Sequence, residues 1–307
     1  MFVFDPDPYL LPAYRISPFT TGNVAYNHLL PENNFIDSYF SERFAGKFFY
    51  YTSSGRSAIY AALQQYNLMA EDVVTILTSS GNFYVSSCIT SQIEKLCRWS
   101  REIEPQSKII FVVHEFGYPY GNMQPLKNYN LPIIEDCAYS FFSADSSNAM
   151  GNTGGHIIYS FPKMFPLQAG GLLVSKNAIT NVAGEIKEQH MLQYVKNILS
   201  HYIPMQHSIA ESRISNYQYL IQQLSALGFA ERFVLHPGIV PGVCMFKKEH
   251  NHIDLNQLKL HLYAHGIQCS VFYGEETFFI PVHQNLQTPD LDYLVESIKK
   301  FCKKSHQ

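Results

Sequence analysis

Apolar positions along the chain change their period several times, and each change marks an element. Residues 47–51 (KFFYY) predict a short strand. From Gly55 the spacing becomes helical: Ile59, Ala62, Leu63 and Tyr66 recur at i, i+3, i+4 and i+7, with Ser53 or Ser54 as the cap. Residues 73–78 (VVTILT), 109–113 (IIFVV) and 132–135 (PIIE) are short apolar runs, and 156–161 (HIIYSF) and 171–175 (GLLVS) extend the series. A helix is expected over 83–97, and the loop HEFGYPYGNMQPL separates two of the strands. Strands without a polar face belong in a sheet covered on both sides, mostly parallel.

After Lys176 the pattern shifts to long helices over 178–200 and 207–227, broken near Pro204. A smaller unit follows: strand 239–246, helix 254–265, strand 267–272, a short strand near Phe278 and helix 289–302. Residues 1–45 are rich in Pro, Tyr and Phe with weak periodicity, which predicts an extended arm lying over a surface. The expected organisation is an arm over 1–45, a large α/β domain over 46–204, and a helical connection with a small α+β domain over 205–307.

Length and composition agree with this plan. A chain of 307 residues suggests two domains. Its 15% charged share is low beside 46% hydrophobic residues, so much surface must be buried, in a core or against another subunit. A net charge of -3, without basic runs carrying aromatics, argues against nucleic acid as a partner. The six cysteines form no C-x-x-C pair and predict reduced thiols. The N-terminus has no basic segment before an apolar run, and no apolar stretch reaches the roughly 18 residues a membrane span needs. A soluble cytoplasmic protein is expected, with no membrane partner.

Four places at strand ends or helix starts could carry chemistry, because open α/β sheets bind ligands there. Ser54-Gly55-Arg56-Ser57 opens a helix, where free N–H groups and the dipole favour a phosphate; a capped helix without ligand has the same sequence. Glu135-Asp136 ends a strand and could hold a pyridinium, a metal or a ribose, or cap a turn. Lys163, in Ser160-Phe161-Pro162-Lys163, lies between two apolar strands; desolvation there would ease proton loss and make it a nucleophile for an aldehyde. Phe83 is either a stacking platform or a core aromatic. A phosphate cradle, an aromatic face, a carboxylate and a strand-end lysine are together the parts of a pyridoxal 5′-phosphate (PLP) site.

The segments SGRSAIYAAL (54–63), GNFYVSS (81–87), VVHEFGYP (112–119), IIEDCAYS (133–140) and YSFPKMFPLQAGG (159–171) resemble, in order and approximate spacing, the DegT/DnrJ-type sugar aminotransferases. RISNYQYL (213–220) and FFIPVH (278–283) extend the likeness, which covers about 50–300. The resemblance implies a fold-type-I PLP-dependent transferase: a large, mostly parallel α/β/α sandwich with a small α+β C-terminal domain, working as a homodimer on an amino donor and an oxo-sugar. It implies covalent attachment of the cofactor aldehyde to Lys163 and pairing of the ring nitrogen with Asp136. Phe83 would face the ring, and Ser160 with Gly55 and the backbone of Arg56 and Ser57 would hold the phosphate. Tyr139 occupies a cofactor-side position where the family usually has Gln or His, and His114 is expected to support its loop.

The departures fall elsewhere. Gln168-Ala169-Gly170-Gly171 replaces Gly-Glu-Gly-Gly, Ser160 and Lys163 are closer than in many relatives, and no Gly-x-Asn-x-Arg segment follows 171–175. The stretch between Phe83 and His114 is expected to lack a strand that relatives carry. A substrate side built differently from the relatives' follows, and two alternatives remain: other PLP chemistry such as elimination or racemisation, or a non-catalytic relative. His250/His252 and His261/His265 have metal-compatible spacing but no completing ligand, so no metal is expected. Gly170-Gly171 precedes a strand and is no dinucleotide fingerprint.

Overall fold

The computed structural model describes residues 13–249 and 253–304. They fall into two units: 19–207 with 237–240, and 13–18 with 208–236 and the described residues from 241 onward.

In the first unit the apolar runs form β1 (Phe48–Thr52), β2 (Val73–Thr78), β3 (Arg98–Ser100), β4 (Ser107–Val113), β5 (Ile133–Asp136), β6 (His156–Ser160) and β7 (Gly171–Ser175). They make one sheet in the order β1-β7-β6-β5-β4-β2-β3. Neighbours from β3 through β6 pair in parallel, while β7 runs antiparallel to both β6 and β1. The expected mostly parallel sheet is what forms. A three-residue strand not anticipated from the sequence, β3, pairs with β2 at the end of the sheet.

Five helices belong to this unit: α1 (Gly22–His28), α2 (Phe35–Arg43), α3 (Gly55–Leu63), α4 (Ser87–Ile93) and α5 (Gln189–Tyr202). Alternation along β4 divides the core between the two faces. Ile109 and Phe111 pack with Ala58, Ala62 and Leu63 of α3 and Ile89 and Ile93 of α4. Ile110 and Val112 face Met123 and Leu126 on the opposite side. Farther along that side, Ile157, Leu172 and Val174 meet Phe40 of α2 and Val195 and Leu199 of α5. Each of these Val, Leu, Ile, Phe and Met side chains, fully buried, contributes about 1.5–3 kcal/mol.

Residues 19–45 depart from the expected extended arm. Some of their aromatics leave water, but on a helix: Phe40 of α2 is stacked on Phe161, and its ring contacts include Phe44, Phe49 and Tyr51, while Tyr26 and Phe35 stay exposed. Residues 13–18 go with the other unit, where Tyr14 pairs with Ile267 and stacks on Tyr293. Two predicted helices are shorter than expected, over 87–93 and 189–202 in place of 83–97 and 178–200. The second begins where Glu188 accepts hydrogen bonds from the N–H groups of His190 and Met191.

Nearly all of α6 (Gln206–Ser225) lies in the second unit, which also holds β8 (Phe229–Glu231), β9 (Cys244–Lys248), α7 (Leu255–Ala264), β10 (Ser270–Phe272), β11 (Thr277–Ile280) and α8 (Thr288–Lys304). Its sheet is antiparallel in the order β10-β11-β9-β8. Leu220 and Leu224 of α6, Leu258 and Leu262 of α7 and Leu294 and Ile298 of α8 share a core with Phe246 and Phe278 of that sheet. The strand expected over 239–246 forms over 244–248, and β8 was not anticipated. Among the described residues, no helix is long and apolar enough to cross a membrane, and all six cysteines are free, five of them buried.

Candidate active site

Because β2, β4, β5 and β6 run in parallel, their carboxyl ends, Thr78, Val113, Asp136 and Ser160, emerge along one edge of the sheet. The amino end of α3 is at the same edge. An added Cβ on Gly55 would lie 2.9 Å from Ser160 Cβ and 3.2 Å from its Oγ. Ser54 caps this helix, its Oγ accepting from Ser57 N at 3.1 Å. The Ser57 hydroxyl is 2.8 Å from that of Ser53 and 3.0 Å from that of Ser54. Gly184, at φ +70, closes the group, since a Cβ there would be 2.7 Å from Ser57 Cβ. Free N–H groups at a helix start, several hydroxyls and bare glycine backbone suit an oxyanion. Arg56 is exposed on this first turn. The contributions of Ser53 and Gly184 were not foreseen, and for Gly184, far along the chain, the sequence holds no local signal.

On β5 the period of two sends Glu135 and Asp136 to opposite faces. Glu135 is wholly enclosed: Oε1 accepts from Thr153 N (2.9 Å) and Gly154 N (2.6 Å), and Oε2 from Gly151 N (2.8 Å) and His114 Nε2 (3.0 Å). His114 Nδ1 accepts from Tyr120 N at 3.0 Å, so the ring proton is on Nε2 and points to Glu135. His114 thus holds the 115–120 loop. The ligand atoms of His114, Glu135 and Cys137 lie within 4.8 Å of one another, but those of His114 and Glu135 are committed to these bonds and burial pushes the Cys137 thiol up. This is a structural knot, not a metal centre. His261 and His265 hydrogen-bond to the backbone oxygens of Ser297 and His261 respectively. His250 and His252 lie outside the described residues.

Asp136 is buried, and its Oδ1 accepts from Ala138 N at 2.8 Å. Burial raises its carboxyl above the usual range; that bond and the charge of Lys163 oppose the rise. Lys163 ends a single 3-10 turn over Phe161–Lys163, directly after β6. Its Nζ donates to Tyr139 Oη at 3.1 Å and lies 4.6 Å from the centroid of that ring. The expectation of a lysine that loses its proton easily is corrected here. Tyr139 chiefly holds the ammonium above the ordinary lysine value; burial opposes this, while the Tyr139 hydrogen bond, Cys88 and Asp136 add to it. Tyr139 packs on Phe116 at 5.3 Å between centroids.

Phe83 follows the carboxyl end of β2. It is 74% exposed, on a loop fixed by Arg101, whose guanidinium donates to Ile76 O, Thr78 Oγ1 and Asn82 O. The structure thus brings together Lys163, Tyr139 and Asp136, and places Gly55 against Ser160 with Ser57 on the same helix turn.

The family model described as "Putative PLP-dependent aminotransferase" matches residues 36–224, more than half of the chain and the whole of this site. The chain belongs to this family of PLP-dependent aminotransferases. None of the curated proteins matches it in sequence. Among solved structures it is similar to the aminotransferase TlmJ from Streptoalloteichus hindustanus, at 15% identity and a TM-score of 0.75, over 95% of this chain and 99% of that one. A DegT DnrJ EryC1 StrS aminotransferase from Brucella abortus gives 14%, 0.69, 92% and 94%. GDP-4-keto-6-deoxy-D-mannose-3-dehydratase from E coli, with bound hydrated PLP, gives 13%, 0.68, 94% and 100%. At these identities the likeness is one of fold, and the fold is that of the PLP-dependent aminotransferases.

The residues present in this aminotransferase fit the cofactor. A Cβ at Gly55 would fill the gap beside Ser160, and one at Gly171 would come within 2.7 Å of the Ser54 carbonyl carbon. Both glycines keep the helix start open to a phosphate. A carboxylate as enclosed as Asp136 is stable as an anion only against a positive partner, and a protonated ring nitrogen is one.

Proposed function

We propose that this aminotransferase moves an amino group from an amino donor to an oxo-sugar carried on a nucleotide, acting in the cytoplasm as a homodimer. The observation that carries the reading is the grouping of Lys163, Tyr139 and Asp136 at the sheet edge from which Ser160 meets the amino end of α3. Lys163 binds the cofactor's aldehyde carbon. Asp136 keeps a positive charge on the ring nitrogen, a charge-assisted bond contributing about 1.5–3 kcal/mol. The Ser57 and Ser160 hydroxyls and the N–H groups of Arg56 and Ser57 would bind the phosphate, the Ser57 N–H by exchanging Ser54 Oγ for a phosphate oxygen, with Gly55 leaving room and the Arg56 guanidinium adding charge. Phe83 is the aromatic assigned to the ring face. Bound PLP supplies an electron sink for the bond broken at the donor's Cα. Lys163, when not holding the cofactor, would be the base that takes and returns the proton at the donor's Cα.

The sugar reading is supported by the fold shared with the dehydratase, whose name specifies a nucleotide-linked oxo-sugar. That enzyme also favours a second reading, elimination in place of transfer on a similar sugar. Borohydride reduction of the PLP-loaded protein followed by peptide mapping should place the pyridoxyl group on Lys163. Glutamate should bleach the cofactor band, and an oxo-sugar nucleotide should return it with nitrogen in the sugar. Dehydrated sugar without donor nitrogen would give the second reading, and a colourless protein without label would overturn both.

A further inference from the structure

Tyr139 reaches Lys163 with both its hydroxyl and its ring. Its position is tightly built. The turn that follows β5 gives Asp136 its Ala138 N–H, ties Ser140 N to Cys137 O, and sends Ser140 Oγ to His114 O. Tyr139 lies within this turn, its ring against Phe116, a non-glycine residue at φ 53. Both the hydroxyl and the ring of Tyr139 therefore address the same lysine cation, at 3.1 Å and 4.6 Å.

We propose that Tyr139 is a positioning residue that makes Lys163 a stronger base, its hydroxyl oxygen accepting a hydrogen bond whenever the lysine carries a proton. The proposal rests on the reading of Lys163 as the proton carrier. A lysine that must take a proton from carbon gains from a partner that favours its ammonium form, and the Tyr139 oxygen, accepting from Nζ at 3.1 Å, is such a partner. Among the groups that act on Lys163 are Tyr139 from the turn after β5, Asp136 from β5 and the Cys88 thiol from α4. The favourable interaction with Tyr139 outweighs burial, which alone would lower the lysine.

Tyr139→Phe keeps the ring beside the lysine and leaves Asp136 and Cys88 in place, so it removes the hydroxyl alone. The test uses the cofactor-free protein. Competitive acetylation with acetic anhydride across pH, with the Lys163 peptide quantified by mass spectrometry, gives the midpoint of the lysine directly. The midpoint should fall by about one to two pH units in Tyr139→Phe, making the amine roughly ten- to a hundredfold more reactive at a fixed pH below it. A midpoint unchanged by the substitution overturns the proposal. Should the variant not fold, wild type decides: its midpoint should lie above the ordinary lysine value of about 10.4, and one below it refutes the proposal. Mapping the pyridoxyl label in wild type separates the two claims. A label on Lys163 with no midpoint shift removes only the role of Tyr139, whereas a label elsewhere removes the reading of Lys163 itself.

Discussion

Replacing Glu135 by Gln tests the electrostatic foundation under the site, and the cost can be worked bond by bond. The carboxylate accepts four hydrogen bonds, two on each oxygen. A glutamine of the same shape keeps one oxygen, which can continue to serve Thr153 N and Gly154 N. Its amide nitrogen then faces two further donors, Gly151 N–H and His114 Nε2–H. The histidine cannot switch tautomer to help, because Nδ1 is already used by Tyr120 N. Two charge-assisted bonds are lost, each worth about 1.5–3 kcal/mol, and their donors are left buried. The loss is therefore about 3–6 kcal/mol, against a total stability of about 5–15 kcal/mol for a domain. Urea unfolding of the cofactor-free protein should show a large fall in midpoint, with PLP binding weakened because the 114–120 loop and Asp136 are no longer held. A loss under about 1 kcal/mol would show that the 151–154 loop rearranges at little cost and that the knot is not structural.

Two further outcomes follow from the same geometry. Gly55→Ala would put a methyl group 2.9 Å from Ser160 Cβ, on a strand that cannot retreat, so PLP affinity in a fluorescence titration should fall about tenfold or more; unchanged affinity would mean that the phosphate is held elsewhere. In the cofactor-free protein, burial raises the Asp136 carboxyl, so the stability tied to its protonated form is complete below the unfolded carboxylate value and is lost as pH rises through the folded one. Asp136→Asn should then melt above wild type at pH 8, with the gap closing as pH falls towards the carboxylate range; a pH-independent gap would contradict this.

The fold was legible where apolar runs were long enough to carry a period. β2 and β4 to β7 were read from uninterrupted apolar segments, and α3 from four positions on one face with a cap before them. What escaped notice were β3 and β8, three residues each, too short for a pattern to develop. α1 and α2 were missed because aromatics scattered over 19–45 blur helical spacing. The helix predicted from 178 fails at its start because Gly184 adopts φ +70 to close on Ser57, an approach governed by tertiary contact. Lys163 and Asp136 could be anticipated from strand ends, whereas Tyr139 entered only through the family resemblance. The protonation of Lys163 could not, since burial, readable in the sequence, pulls one way and a tyrosine 24 positions earlier in the chain pulls the other.

The paired carboxylates of β5 show how a period of two turns neighbouring residues to unlike tasks. From the sequence, Glu135 and Asp136 are equivalent candidates for any cationic ligand. In the sheet they face opposite layers, and what each meets decides its chemistry. Glu135 meets three backbone N–H groups and a histidine, so its bonding is complete and it serves to hold a loop. Asp136 receives one N–H on Oδ1 and lies within electrostatic reach of Lys163. A carboxylate whose needs are met by the protein stabilises the protein. One whose burial is only partly compensated gains most from a cationic ligand, and Asp136 is that residue here.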